Sequence, residues 1–169
     1  MKNNRMPTRK LFYLPLIFIA LVFAAPGCHK SNQTPCENNE APPVQVGLIF
    51  LDKQTGENIL ISKNIESGTI KITQGSSEVP ETTGTIVTNA GSDLYGSLKF
   101  HIEDLKKGEF KYTVSIPDVT TTTLSYNNTE EKTDNRCKPY VIKVQDPVIA
   151  EHQYTVQKSG TNIIIKITL

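Results

Sequence analysis

From Val44 onward the chain carries a period of two. Val44, Val46, Leu48 and Phe50 alternate, and Ile49 with Leu51 adds apolar character to the opposite face. A strand that is apolar on both faces belongs at the centre of a sheet or beneath a further layer. The turn-forming run Asp52–Asn58 follows, then Ile59-Leu60-Ile61, which reads as a hairpin arm or a strand corner. Ile70 and Ile72 predict another strand, Gln74 to Thr83 a loop, Gly84 to Thr88 a short strand, and Asn89 to Asp93 a turn. Next come the two clearest strands. Leu98, Phe100 and Ile102 face one way, with Lys99, His101 and Glu103 on the other side; Phe110, Tyr112, Val114 and Ile116 then alternate with polar residues until Pro117. The short turn Asp104–Gly108 between them predicts a hairpin.

Thr120 to Tyr126 predicts an edge strand, since threonine favours extended backbone, and Asn127 to Arg136 a charged loop. The remaining alternations are Tyr140, Ile142, Val144, then Tyr154, Val156, then Ile163, Ile165, Ile167, Leu169, with a turn at Ser159-Gly160 between the last two strands. No segment of this region keeps a 3.6-residue period. Eight or nine short strands, as counted here, imply an all-β sandwich or barrel.

The segment before Val44 follows a different pattern. Lys2, Arg5, Arg9 and Lys10 precede an apolar run, Leu11 to Ala25, which ends Ala25-Pro26-Gly27-Cys28. A cationic start, an apolar run of about 15 residues and a small-residue end are the parts of a secretory signal. A membrane-spanning helix needs about 20 apolar residues, and Pro15 interrupts this run. Small residues followed directly by cysteine resemble the lipobox of bacterial lipoproteins. That resemblance implies cleavage after Gly27 and acylation of Cys28, with Ala25 and Pro26 departing from the commonest pattern. Ala25-x-Gly27 also fits ordinary signal peptidase. Residues 1–27 are thus expected to be a signal peptide forming a helix, 28–43 a flexible polar tether, and 44–169 the folded domain. Two or three acyl chains hold a protein to a leaflet stably, whereas one holds it only marginally.

Removing the leader changes the charge balance. The chain has 18 Lys plus Arg against 17 Asp plus Glu. Four of the cations leave with the leader, so the remainder carries about −3. The charges are scattered, which argues against nucleic acid as a partner. The cysteine count changes as well. With Cys28 acylated, Cys36 and Cys137 remain, and an oxidising compartment permits their pairing.

Candidate chemistry is sparse. His101 and Glu103 share a strand face and with a third ligand could hold a metal, although Lys99 beside them suits a solvated face. His152 suits a hydrogen-bonded position at the core edge. The Asp52 run lacks the spacing of a calcium loop and suits a turn. Asn32-Gln33-Thr34 and Asn127-Asn128-Thr129 match the glycosylation sequon and are read as chance matches. The chain has no nucleophile elbow, phosphate loop, HExxH or CxxC sequence. No cofactor is implied.

Two stretches, GLIFLDKQTGENIL at Gly47–Leu60 and LKKGEFKYTV at Leu105–Val114, carry resemblances. They resemble the small envelope lipoproteins of Bacteroidetes-type bacteria, with a lipobox, a polar tether and a run of strands. They also resemble the transthyretin-like sandwich, in which a D-x-x-T-G-E turn and an L-x-x-G-x-Y-x-V strand recur. Asn58 and Phe110 depart from these patterns. Together they imply an antiparallel β-sandwich, Ig-like or transthyretin-like, of about eight strands. They further imply a cell-envelope location, with the outer membrane expected and its face left open. His29-Lys30-Ser31-Asn32 lacks the acidic residues of surface-export signals in that group, which leans toward the periplasmic face. The expected role is a non-catalytic module that contacts the membrane through lipid on Cys28 and binds a protein or glycan. A hydrolytic or metal-dependent envelope enzyme using His101, Glu103 or His152, and a purely structural envelope protein, are the alternatives.

Overall fold

The computed structural model describes Cys36, residues 42–75 and residues 82–169. The expected signal helix, Gly27, Cys28 and most of the tether lie outside the described residues. The chain divides into two units, Met1–Asn38 and Asn39–Leu169. Of the first, Cys36 alone is described; it is exposed and disulfide-bonded.

The second unit is an all-β sandwich, with ten strands among the described residues: β1 (Gln45–Leu51), β2 (Lys71–Gln74), β3 (Thr85–Ile86), β4 (Leu98–His101), β5 (Gly108–Ile116), β6 (Thr120–Lys132), β7 (Tyr140–Val144), β8 (Val148–Ile149), β9 (Gln153–Ser159) and β10 (Asn162–Thr168). One sheet has the order β3-β4-β1-β10-β9; the other is β2-β5-β6-β7, with β8 also on β6. The count exceeds the expected eight; β3 lies within the short strand expected at Gly84–Thr88, whereas the two-residue β8 has no alternation to announce it. Pairing is antiparallel except between β1 and β10, which run parallel with Val46 opposite Ile163, Leu48 opposite Ile165 and Phe50 opposite Ile167. These side chains, with Leu98 and Phe100, pack against Ile72, Tyr112, Val114, Ile116 and Leu124 to form the core.

The apolar outer face of β1 is covered, as its sequence requires. Ile49 packs with Ile164 and with Leu94 from the loop between β3 and β4. That loop closes through Val87 N–H to Ser97 O at 2.9 Å and Gly96 N–H to Val87 O at 2.7 Å. It lies so close to the sheet that a Cβ on Gly47 would sit 2.7 Å from Leu94 Cδ2 and 2.9 Å from Ser97 Oγ.

Four local expectations are corrected. Ile59-Leu60-Ile61 is not a strand but opens a one-turn helix, α1 (Ile59–Ser62), because the Asn58 carboxamide oxygen accepts from Leu60 N–H and Ile61 N–H. β4 and β5 are not a hairpin: β4 belongs to one sheet and β5 to the other, so residues 102–107 form a corner between the layers. β6 is an edge strand only in part: β5 flanks it over Thr120–Asn128, while on its other side β8 pairs at Leu124–Ser125 and β7 over Asn128–Lys132. Nor is Asn127–Lys132 loop; it is the second half of that 13-residue strand.

The two ends of the sandwich differ in what they gather. At one end lie Val44, where the chain enters the domain, the 102–107 corner, and the loop joining β6 to β7. Ile102 N–H donates to Val44 O at 3.4 Å, and Gly108 pairs with Asn128. At the other end lie Leu51, Thr168, the β5–β6 turn and His152. The β6–β7 loop holds Cys137, whose N–H donates to Asn135 Oδ1 at 2.9 Å. Cys137 is disulfide-bonded to Cys36, as the parity of cysteines predicts. The bond closes a loop of about 100 residues, for which chain entropy alone gives about 4.7 kcal/mol.

Candidate functional site

The residues singled out by sequence fall in separate places. His101 ends β4, exposed, opposite Gln45 in the sheet. Glu103 has turned into the corner, so the two no longer alternate along one strand. Its carboxylate accepts from Leu105 N–H at 3.0 Å and lies 3.6 Å from Lys106 Nζ. Among the described residues, no three His, Cys, Asp or Glu side chains gather in a way that would hold a metal ion.

The corner itself is the most elaborate polar structure of the domain. Glu103 N–H donates to the Tyr112 hydroxyl at 3.0 Å, and the Tyr126 hydroxyl donates to Glu103 O at 2.9 Å. Asn128 Nδ2 donates to Glu103 O at 2.8 Å and to Lys106 O at 2.9 Å. Asn128 is 2% exposed, and its Oδ1 has no hydrogen-bond partner among the described residues. The two carbonyls facing Nδ2 fix the amide's orientation, since reversing it would bring three oxygens together. The rings form a ladder: Phe100 and Tyr112 centroids lie 5.8 Å apart, Tyr112 and Tyr126 6.2 Å, and Tyr126 and Phe110 5.6 Å. Burial pushes the Tyr126 hydroxyl far above its ordinary pKa, and the neighbouring Tyr112 adds to the shift. It stays protonated and serves as a donor. Alternation places Tyr112 on the core side, but Tyr126 reads only as the end of a threonine-rich strand, and Asn128, amid polar residues, carries no signal.

At the other end, His152 Nε2 lies 3.2 Å from Thr120 Oγ1. Beside it, Glu151 Oε2 accepts from Thr123 N–H at 2.9 Å and from Thr122 Oγ1 at 3.3 Å. Desolvation pushes the Glu151 carboxyl up, but the bonds from Thr123 and Thr122 outweigh it, leaving the pKa below the ordinary value. Thus Glu151 supplies β6 with an acceptor where no strand flanks it on that side. An open groove of about 550 Å³ adjoins, lined by Leu51, His152, Gln153, Tyr154, Thr155, Lys166 and Thr168. A second open groove, about 590 Å³, is lined by Glu109, Phe110, Lys111, Ser125, Tyr126, Asn127, Gln145, Asp146 and Val148.

The Asp52 run is a turn, held by its own side chain. Asp52 Oδ1 accepts from Thr55 N–H at 2.8 Å, Gln54 N–H at 2.9 Å and Thr55 Oγ1 at 3.1 Å. The backbone N–H groups of Thr55 and Gln54 hold its carboxyl below the ordinary range. With the carboxylate committed to its own turn, calcium is not needed to explain the acid.

Comparison with protein-family models, with curated proteins and with solved structures returns no match.

Proposed function

We propose that this protein is a lipid-anchored cell-envelope protein, of the kind the small Bacteroidetes-type lipoproteins represent, whose sandwich is a non-catalytic binding module for a protein or glycan. The observation that carries the reading is the fate of the cysteines. Cys36 and Cys137 are bonded to one another, leaving Cys28 as the remaining cysteine of three, directly after a cationic, apolar and small-residue leader. The side chains considered for catalysis support the module. Glu103 holds Leu105 N–H and Lys106, and His152 meets Thr120. The two open grooves are where a partner would sit.

Metabolic labelling with a radioactive fatty acid tests the anchor. The full chain is expected to take up label and fractionate with membranes, and Cys28→Ala to lose both; unchanged labelling of the variant refutes the anchor. In-cell crosslinking and pull-down of the anchored protein tests the module. A purified domain that turned over a substrate through His101, Glu103 or His152 would refute the non-catalytic role.

A further inference from the structure

Given acylation of Cys28, the disulfide bears on which end of the domain would meet the lipid. The chain enters the sandwich at Val44, at the end formed by the 102–107 corner. Cys137, in the β6–β7 loop at that same end, is bonded to Cys36. Cys36 follows Cys28 by eight residues, a span of at most about 28 Å of extended chain, and Val44 follows it by roughly 55 Å of chain. β6 runs away from this end for 13 residues, or about 40 Å, to Thr120. Both chain routes from Cys28 therefore reach the domain at this end, and the shorter is well below the length of the domain.

The exposed apolar side chains point to the same end. Leu105 is 82% exposed, Tyr140 55% and Val141 39%. Tyr140 pairs with Lys132 and Val141 with Glu131 at the far end of β6. Leu105 adjoins Lys106, whose carbonyl Asn128 holds. Of the exposed large hydrophobic residues described, Tyr95 and Val148 alone lie elsewhere. Tyrosine favours the headgroup level of a bilayer, and the stems of Lys106 and Lys107 can lie along apolar surface with their charges in water. Residues 103–109 and 130–143 carry six acids and six cations. A lipid contact at this end would therefore owe little to long-range attraction.

We propose that the 102–107 corner and the β6–β7 hairpin dock on the lipid leaflet that carries the anchor, so that the groove beside His152 faces away from it. The proposal rests on acylation of Cys28. A photoreactive phenylalanine analogue placed at Leu105, at Tyr140 or, at the opposite end, at Lys53 tests it in the full-length protein in its own membranes. Crosslinks to labelled acyl chains are expected from positions 105 and 140 and not from 53, and they are expected to persist when ionic strength is raised. In a protein carrying Cys36→Ser with Cys137→Ser, most of that contrast should be lost. Equal labelling at all three positions, stronger labelling at 53, disappearance of the crosslinks in salt, or an undiminished contrast without the disulfide overturns the proposal. Failure of the anchor itself looks different: the unmodified full chain then incorporates no fatty acid and does not sediment with membranes, which overturns both readings.

Discussion

Asn128→Asp changes one atom type at the centre of the corner and should be among the most damaging single substitutions in the domain. The native amide donates two bonds, to Glu103 O and Lys106 O, from a side chain only 2% exposed. Each such bond contributes about 1 kcal/mol net, and a buried carbonyl left without a donor costs about 1–3 kcal/mol. Glu103 O keeps the Tyr126 hydroxyl. The introduced carboxyl, when protonated, can restore one donor, so the cost at low pH is about 2 kcal/mol. When ionised it has no donor at all and faces two carbonyl oxygens in a buried site, so its folded pKa is raised above the unfolded value of about 3.9. An acid with a raised folded pKa favours the folded state less as pH climbs, because the unfolded chain releases its proton first. Each unit of that rise adds about 1.4 kcal/mol. The expected cost therefore grows from about 2 kcal/mol near pH 4 to about 4 kcal/mol or more at pH 7. Urea unfolding of both proteins at the two pH values, compared at equal denaturant slope, measures it. A difference below about 0.5 kcal/mol at both pH values, or one that narrows as pH rises, refutes the role assigned to the amide.

Two further outcomes follow from the packing and the turns. Gly47→Ala places a Cβ within 3 Å of both Leu94 Cδ2 and Ser97 Oγ, and should cost about 1–3 kcal/mol while raising hydrogen exchange at Val87 and Gly96; unchanged stability and exchange would show that the loop yields freely. Asp52 is held below its ordinary pKa by backbone donors, so its contribution is present above the unfolded carboxylate range and fades as pH falls through the lower folded pKa. Asp52→Asn keeps the acceptor oxygen and should flatten the acid limb of stability against pH; an identical acid limb would discount the turn.

What the sequence reveals depends on whether alternation is the quantity that decides. Val46, Leu48 and Phe50, and Ile163, Ile165 and Ile167, announce their core face because a strand slipped by one residue would turn the whole set outward. The same signal cannot say which sheet a strand joins. Leu98 to Ile102 and Phe110 to Ile116 both point their apolar sides into one core, whether as hairpin partners or as facing layers. The side chains of Tyr112, Tyr126 and Asn128 hold the turn as a corner, and their partner is a main chain that composition cannot show. Ile59-Leu60-Ile61 is too short a run to separate helix from strand; Asn58 before it is the local clue to a cap. Parity exposes the Cys36–Cys137 bond. His101 and Glu103 look like a pair on paper, yet β4 ends at His101 and Glu103 enters the corner.

The parallel pairing of β1 with β10 also sets an order of events. β10 supplies Ile163, Ile165 and Ile167 to the centre of its sheet, yet it is made about 115 residues after β1. Until it arrives, β1 has β4 on one side and nothing on the other, while β5 and β6 can already close a local hairpin. The sheet containing β5 and β6 should therefore mature first, with its core face waiting for a partner. Contacts this distant in sequence slow folding and lengthen exposure of that face. A chain arrested before β10 should be caught by chaperones or aggregate, and permuting β10 to precede β1 should speed folding without altering the final core.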